Sequence, residues 1–267
     1  VAEGTEIDLT NVDVIFKSPG ISLYNPCIQK AISCGIEVLS STNLFLKHLP
    51  KSVKTIAITG TKGKSTTSSL LAHILRRKGF DVAFGGNIGV PLIELPNRAY
   101  NFLVAELSSY QCADLAFPFD ISVVLNLYPE HIDWHGSHDQ YYTDKLNLLQ
   151  IRQPTQQAII NADNSELVSR TRHLADLVYF NNPDGIHVEN GMIKDGTKDI
   201  FPINAITNLK GMHNLENICA VLTILKGLKI DLDGVERDII TFQPLPHRLQ
   251  QVGCVHGVTF IDDSIST

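Results

Sequence analysis

Three features of the sequence predict an α/β fold with a central, doubly wound, mostly parallel sheet. Short apolar runs rich in β-branched residues recur at residues 55–58, 102–105 and 121–125. Longer amphipathic stretches separate them, as at residues 67–78. Glycines and polar residues follow the apolar runs, which is where ligands bind in open parallel sheets. Strands that alternate with helices in this way are typical of parallel α/β domains.

Composition limits the classes of protein that need to be considered. The chain has 267 residues, 43% of them hydrophobic, which is enough for one large domain or two smaller ones. A net charge of −6 without a basic run argues against nucleic acid as a partner. Five cysteines without a C-x-x-C pair indicate reduced thiols and a cytoplasmic protein. No apolar run reaches the ~18 residues of a membrane span, so no membrane segment is expected.

The stretch KTIAITGTKGKSTT carries the strongest functional signal. An apolar strand leads into a loop with Gly60 and Gly63, and a helix is predicted to begin near Ser65. Such a loop turns backbone N–H groups and the positive end of a helix dipole toward one point, which favours phosphate. Lys64 is then placed to reach the terminal phosphates, and the hydroxyl of Ser65 or Thr66 to bind Mg²⁺. The alternative is a glycine turn with a solvated lysine.

The N-terminal part predicts a βαβ unit that is too small to be a complete domain. A strand at residues 12–16, a helix at 26–34 and a strand at 36–39 follow one another. Gly20 lies between the first strand and the helix, where it is either part of a ligand site or a plain turn. The polar start without methionine and the polar end after the last strand suggest a fragment of a longer chain.

Two polar segments that follow predicted strands are further candidates for binding. The strand at residues 82–84 leads into GGNIGVP, whose glycines permit close approach of the backbone and whose Asn87 can hydrogen-bond specifically. A plain loop is the alternative there. The next strand ends in Glu106, which is well placed to hold Mg²⁺ at the carboxyl edge of the sheet, with the hydroxyls of Ser108 and Ser109 nearby. The alternative is a solvated glutamate.

Three histidines follow the strand at residues 121–125 with helix-like spacing, namely His131, His135 and His138. Zinc is considered but not favoured, because Gly136 weakens a helix there and neither a cysteine nor the glutamate of H-E-x-x-H accompanies the set. A single histidine that holds Mg²⁺ or phosphate at the end of the strand is the preferred interpretation.

The following segment predicts a helix and then more strands. A helix over residues 141–149 carries Lys145 among apolar residues, and a solvated lysine is the default interpretation. Strands are predicted at residues 158–161 and 177–180, followed by a hairpin that turns at Asn190-Gly191.

The C-terminal part predicts a helix, a hinge and the start of another domain. The helix runs from Gly211 to about residue 225 and carries Asn214 and Asn217 on one face. Paired amides suit the edge of a purine, although N-capping explains Asn214 equally well. The stiff sequence PLPHR predicts a hinge, and the apolar run at residues 258–261 predicts the first strand of a further domain.

Taken together, the motifs resemble those of the Mur ligase family over essentially the whole chain. They are TGTKGKST, GGNIG, ELSSYQ, HIDWH, Lys145, GMHN with Asn217, LPHR and DSIST, and they occur here in one order. The resemblance implies a partial, Rossmann-like UDP-binding domain over residues 1–50 and a central ATP-binding domain over residues 51–244. It also implies the first strand of a C-terminal domain for the amino acid over residues 245–267.

The resemblance implies a role for each candidate residue. The catalytic set is Lys64, Glu106, His131 and Lys145. ATP is bound by Gly60, Thr61, Lys62, Gly63, Lys64, Ser65, Thr66, Asn214, Asn217, Arg248 and Asp263. The substrate is contacted by Gly20, Asn87, Ser108 and Thr267. Two Mg²⁺ ions are held by Ser65, Glu106, His131 and Lys145, the last as a carbamate.

The activity implied by the resemblance is that of an ATP-dependent ligase, and GGNIG, ELSSYQ and LPHR indicate the members that add D-glutamate. Such an enzyme joins D-glutamate to UDP-N-acetylmuramoyl-L-alanine through an acyl phosphate. The reaction belongs to cytoplasmic synthesis of peptidoglycan precursors, and thereby to cell-wall biogenesis, cell shape and cell division. A monomer with small-molecule partners, and without nucleic acid or membrane, is expected.

Three positions depart from the pattern of the family. Lys62 stands where Asn is usual, Glu130 where Asp is common, and Ile265 where many members have Lys, which removes a charge near the substrate. Two alternatives stay open: a folylpolyglutamate-type or other amino-acid ligase, and a nucleotide-binding protein without ligase chemistry. The predicted metal ligands argue against the second, because retention of ATP alone needs no second metal site.

Overall fold

The structure is a computed structural model that describes residues 8–243 and 250–262. Its first part confirms the predicted βαβ unit, because β1 and β2 pair in parallel with Val14 opposite Glu37. Asn25 starts α1 by accepting a hydrogen bond from the backbone N–H of Cys27, and proline fits the first helical turn because it needs no partner for an N–H. The elements are β1 (Val14–Lys17), α1 (Pro26–Ser33), β2 (Glu37–Ser40) and α2 (Ser41–His48).

Within the described part of the chain, six parallel strands form the central sheet, in the spatial order β4-β5-β3-β6-β7-β8. They confirm the predicted apolar runs to within one or two residues at each end. The strands are β3 (Lys54–Thr59), β4 (Val82–Gly86), β5 (Phe102–Glu106), β6 (Ile121–Val124), β7 (Gln157–Asn161) and β8 (Leu177–Phe180).

Helices cover both faces of this sheet, as the doubly wound prediction requires. Alternate residues of β3 face opposite sides: Ile56 and Ile58 pack in one apolar cluster with Leu71, whereas Ala57 packs in another with Leu148. The helices are α3 (Lys64–Arg77), α4 (Ser109–Ala113), α5 (Ile132–His135), α6 (His138–Gln150), α7 (Ser165–Thr171), α8 (Met212–Gly227) and α9 (Val235–Ile240).

A small antiparallel sheet and a C-terminal hairpin complete the described residues. The predicted turn at Asn190-Gly191 is confirmed, with both residues at positive φ, and a third strand extends that hairpin into a sheet. The last predicted strand is also present and pairs with a partner strand that the sequence did not indicate. The strands are β9 (Ile186–Glu189), β10 (Met192–Asp195), β11 (Lys198–Pro202), β12 (Gln250–Val255) and β13 (Val258–Asp262).

Strand order decides where the functional side chains can meet. β3 lies between β5 and β6, with Ile58 opposite Glu106 and Thr59 opposite Val124. The carboxyl ends of these three parallel strands therefore share one edge of the sheet, and the loops that follow them form one crevice. Among the described residues, no helix is both long and apolar enough to cross a membrane.

Candidate active site

The predicted phosphate loop occupies residues 60–63, between the end of β3 and the start of α3. Gly63 caps α3 in the left-handed region at φ 83°, so the helix begins at Lys64, one residue before the predicted start. A Cβ at Gly63 would lie 2.4 Å from Oδ1 of Asn217, so that only glycine fits. The first N–H groups of the helix lack intrahelical partners and can bind an anion.

Asn126, which the sequence analysis missed, holds this loop from the end of β6. Its Oδ1 accepts from the backbone N–H of Lys62 at 2.8 Å, and its Nδ2 donates to the carbonyl of Lys62 at 3.1 Å. The backbone carbonyl of Asn126 also accepts from the N–H of Thr61 at 3.1 Å. An amide directly after a buried strand was the available signal. The loop is therefore fixed by contacts from a neighbouring strand end.

Lys64 lies partly buried above the loop. Its Nζ donates to the carbonyl oxygens of Gly60 and Thr61 at 2.9 and 2.8 Å. A lysine held in this way is placed as a point charge beside the loop amides, which is the arrangement that phosphate requires. Thr66 lies on the first turn of α3, next to Ser65, which is 6% exposed.

Glu106 is a buried carboxylate at the carboxyl end of β5. It is only 1% exposed, so the alternative of a solvated glutamate is wrong. Oε1 accepts from Nδ2 of Asn87 at 2.9 Å, and Oε2 lies 3.4 Å from the hydroxyl of Ser68. Among the described residues it makes no ion pair. A buried carboxylate that makes no ion pair with a described residue fits Mg²⁺, which prefers oxygen ligands such as this one and Ser65.

The GGNIG loop packs directly on Glu106. A Cβ at Gly86 would lie 2.2 Å from the carbonyl oxygen of Glu106, which explains the need for glycine. The backbone N–H of Asn87 donates to that same carbonyl at 2.8 Å. Asn87 therefore does more than form a turn, because it hydrogen-bonds both the backbone carbonyl and the carboxylate of Glu106.

Lys145 lies inside the protein, so the default of a solvated lysine is wrong. It is 2% exposed, and its Nζ donates to the carbonyl of Gly60 at 2.9 Å and lies 3.5 Å from Oγ1 of Thr59. Burial, with a further contribution from the charge of Lys64, lowers the pKa of Lys145 to about 7. Near neutral pH, a substantial fraction of the Lys145 amine beside the phosphate loop is therefore neutral.

The three histidines do not form a zinc site. His131 is half exposed and begins α5 at φ 54°, and partial burial lowers its pKa. His135 is buried at 3% exposure, and His138 begins α6. Within residues 8–243 and 250–262, no group of three or more His, Cys, Asp or Glu side chains could hold a metal. Gly136 ends a short helix rather than preventing one, because it adopts the left-handed conformation of a helix C-cap.

Asn214 and Asn217 lie on one buried face of α8, as predicted. Gly211 is the N-cap, so the capping alternative for Asn214 is wrong. The amide of Asn214 donates to the carbonyl of Lys210 at 2.7 Å, and Oδ1 of Asn217 accepts from the hydroxyl of Thr67 at 3.1 Å. Asn217 thus contacts the helix that follows the phosphate loop.

Two predicted substrate contacts, Gly20 and Ser108, lie in a turn and at a helix N-terminus. Gly20 lies in the turn between β1 and α1, and Ser108 caps α4 in a capping box with Gln111. Outside the described residues lie Asp263, Ile265, Thr267 and the whole predicted hinge at residues 244–248, which includes Arg248.

Residues 58–225 match the family model described as Mur ligase middle domain. The chain is 41% identical, over 268 aligned positions, to the UDP-N-acetylmuramoyl-L-alanine–L-glutamate ligase of Xylella fastidiosa. That alignment covers 97% of this chain and 57% of the relative, so the chain spans little more than half of the relative's length.

Two solved structures share the fold. A UDP-N-acetylmuramate:L-alanyl-gamma-D-glutamyl-meso-diaminopimelate ligase from Neisseria meningitides has a TM-score of 0.65 at 19% identity, with 87% of this chain and 79% of that chain covered. The MurF ligase of Thermotoga maritima, solved in complex with ADP, has a TM-score of 0.64 at 16% identity, with 97% and 72% covered. At these identities the likeness extends to the fold alone.

Proposed function

The chain belongs to the Mur ligase family, and on this premise we propose that the whole protein is an ATP-dependent ligase that joins glutamate to UDP-N-acetylmuramoyl-L-alanine. The observation that carries the proposal is the phosphate loop beside a buried Glu106 and a buried Lys145. Similarity to glutamate ligases over nearly the whole chain supports the choice of amino acid. The proposed reaction belongs to cytoplasmic peptidoglycan precursor synthesis.

The isomer of glutamate is a separate part of the proposal. The motifs predict D-glutamate, whereas relatives from Xylella fastidiosa and Micromonospora, at 41% and 38% identity, are named for L-glutamate. We therefore propose L-glutamate as the favoured isomer and D-glutamate as the competing one. The domain predicted to bind the amino acid begins only at residue 245. Selection between L- and D-glutamate is therefore assigned to that domain, not to the crevice around the phosphate loop.

The proposed chemistry follows from the poor reactivity of a carboxylate toward amines. The γ-phosphoryl group of ATP passes to an oxygen of the alanyl carboxylate, which gives ADP and an acyl phosphate. The amine of glutamate then displaces phosphate, loses a proton and forms the amide. The phosphate donor and the carboxylate are both anions, so Lys64 and the loop amides supply the positive charge that lets them approach.

The metal ligands are proposed from the residues that fit them. Ser65, Glu106 and His131 would hold Mg²⁺, and Lys145 would join them as a carbamate. Bound Mg²⁺ would supply positive charge between the two reacting anions. The neutral form of Lys145 can add CO₂, which replaces a cation that would repel Mg²⁺ with an anionic oxygen ligand. The burial of Lys145 supports this role, because it favours the neutral amine.

The other site residues and the domains keep their predicted assignments as part of the proposal. Asn214 and Asn217 would contact adenine, while Arg248 and Asp263 would bind ATP from the third domain. Substrate contacts would come from Gly20, Asn87, Ser108 and Thr267. Residues 1–50, 51–244 and 245–267 would belong to the UDP-binding, ATP-binding and amino-acid-binding domains.

Amino-acid-dependent phosphate release by the full-length protein tests the proposal. The assay contains ATP, Mg²⁺ and UDP-N-acetylmuramoyl-L-alanine, and L-glutamate, D-glutamate and other amino acids are added one at a time. We expect release with glutamate, fastest with the L-isomer, and none when the UDP-sugar is omitted. Faster release with another amino acid would support a different ligase of the family. Absence of release with every amino acid would support a non-catalytic nucleotide-binding protein.

A further inference from the structure

The loop after β1 is fastened to the central part of the protein by polar contacts that the proposed reaction does not use. The Nζ of Lys17 lies 3.0 Å from Oδ2 of Asp114, and the lysine side chain is 1% exposed. The hydroxyl of Ser22 donates to the carbonyl of Trp134 at 2.8 Å, and the hydroxyl of Tyr24 donates to Oδ1 of Asp144 at 2.5 Å. This loop, which contains Gly20, is therefore held against α5 and α6.

Asp144 is the centre of these contacts. It is 5% exposed, and Oδ1 accepts from Nε2 of Gln140 at 2.8 Å as well as from Tyr24. Oδ2 lies 2.5 Å from Nδ1 of His135. Because a carboxylate can only accept, the histidine N–H donates to it. A buried carboxylate with hydrogen bonds to both oxygens is held in one orientation.

His135 continues the connection to a third segment. Its Nε2 lies 3.0 Å from the hydroxyl of Ser109, and both residues are buried. When the ring is neutral, the Ser109 hydroxyl donates to Nε2. Tyr24, Asp144, His135 and Ser109 thus form one chain of hydrogen bonds, here called the Asp144 network.

The Asp144 network reaches each segment that carries a proposed metal ligand other than Ser65. Asp144 directly precedes Lys145 on α6. His135 ends α5, the short helix that His131 begins. Ser109 begins α4, which follows the strand that ends in Glu106. Tyr24 adds the loop that contains Gly20. The hydrogen bonds of the Asp144 network therefore join four separate segments, which are α4, α5, α6 and the loop after β1.

We propose that Tyr24, Asp144 and His135 are positioning residues that hold these segments in register for binding of the Mg²⁺ that accompanies the nucleotide. The inference rests on the proposed function, because it concerns the metal ligands of that site. Among the described residues, no hydrogen bond joins the network to Nζ of Lys145 or to the Glu106 carboxylate, so its effect passes through the backbone of the segments. Residues that hydrogen-bond a metal ligand directly commonly contribute about 10–100-fold to metal affinity, so a network that acts through the backbone should contribute near the lower end of that range.

The test measures how variants of the full-length protein bind a non-hydrolysable ATP analogue, by calorimetry, with Mg²⁺ and again with EDTA. The variants are Tyr24→Phe, Asp144→Asn, which keeps an acceptor for Tyr24, and Asp144→Leu. Tyr179→Phe and Asp184→Asn are matched controls, because neither side chain makes a hydrogen bond to a described residue.

We expect Asp144→Leu to weaken binding with Mg²⁺ about tenfold or more, and Tyr24→Phe about threefold. Asp144→Asn should recover part of the loss, and binding in EDTA should stay unchanged. A purely structural role would weaken binding equally in both buffers and would overturn the proposal. If Asp144→Leu fails to fold, Tyr24→Phe still tests the proposal. The variant should fold, because Tyr24 is 39% exposed and phenylalanine keeps the aromatic ring.

Binding by Tyr24→Phe and Asp144→Asn equal to that of the controls would overturn the inference, as would Mg²⁺-independent binding by the wild type. The readout does not depend on ligase activity. Absence of glutamate-dependent phosphate release would therefore contradict the proposed function alone, and the comparison of variants would still decide this inference.

Discussion

The Nζ of Lys145 donates to the carbonyl oxygen of Gly60 at 2.9 Å, so that a helix from the middle of the chain is joined to the phosphate loop. Lys64 donates to the same oxygen at 2.9 Å. Two ammonium groups at one carbonyl repel each other, and Lys145 is the more deeply buried of the two. Burial, with a further contribution from repulsion by Lys64, therefore lowers the pKa of Lys145.

The buried Lys145 should make stability depend on pH. Its pKa is about 7 in the folded state, against an ordinary value of 10.5 in the unfolded chain. Below pH 7 both states bind the proton, and the cost of burying the ammonium is present in full. Between these two pKa values the unfolded state binds more protons, so stability rises with pH. In CO₂-free buffer, the stability advantage of Lys145→Met over the wild type should shrink from pH 6 to pH 9. An advantage that is constant with pH in urea denaturation would contradict this.

Replacement of Lys145 should abolish activity in a way that a small acid partly restores. In the full-length protein, Lys145→Ala removes the proposed carbamate oxygens and leaves space beside Gly60. We expect no glutamate-dependent phosphate release, and partial recovery when acetate or another short carboxylic acid is added. Lys145→Arg serves as the control, because it fills the space and should not be rescued. Full activity of Lys145→Ala without added acid would show that no carbamate is required.

Replacement of Lys64 should weaken nucleotide binding, abolish ATP turnover and leave the fold intact. A charged hydrogen bond contributes roughly 1.5–3 kcal/mol, so Lys64→Ala should weaken binding of ATP at least about tenfold and abolish its turnover. The free energy of unfolding should change by less than about 1.5 kcal/mol, because the side chain is only partly buried and its Nζ donates to the loop carbonyls of Gly60 and Thr61. Lys51→Ala, at an exposed position before β3, is the control. Turnover by Lys64→Ala at the wild-type rate would refute the phosphate loop.

Gly63→Ala should lower stability more than the same substitution at another glycine with a left-handed backbone conformation. Its Cβ would lie 2.4 Å from Oδ1 of Asn217, in addition to the strain of φ 83°. Gly191→Ala has a similar φ of 75° but no atom within 4 Å of the added Cβ. Strained backbone costs about 1–3 kcal/mol, so both variants lose stability, and Gly63→Ala should lose more and also bind ATP weakly. Equal losses in thermal denaturation would show that Asn217 can move away.

Local sequence signals were sufficient for the sheet and for the position of the glycine loop between β3 and α3. The apolar runs at β3, β5 and β6 predict strands because buried parallel strands are apolar on both faces. Glu106 could be predicted as a site residue because it ends such a run. The short helices α4, α7 and α9 were missed, since helices of five to seven residues depend on capping and packing rather than on periodicity.

Contacts between distant segments could not be predicted in the same way. Tyr24 and Asp144 are 120 positions apart, and nothing near either residue indicates the other. The burial of Lys145 likewise follows from the packing of α6 against the loop after β3, whereas the sequence shows only a lysine among apolar neighbours. Asn126 had a local signal, its position directly after a strand, but its two hydrogen bonds to Lys62 depend on the strand order.

The central claim is that the site transfers the γ-phosphoryl group of ATP to the carboxylate of the UDP-sugar before the amide forms. The most direct test uses UDP-N-acetylmuramoyl-L-alanine with oxygen-18 in its carboxylate, together with ATP, Mg²⁺, glutamate and the full-length protein. An acyl phosphate keeps one carboxylate oxygen on phosphorus when the amine attacks carbon. Mass spectrometry should therefore find one oxygen-18 atom in each released phosphate, in equal amount to the amide. Phosphate released without the label while the amide forms would contradict the account.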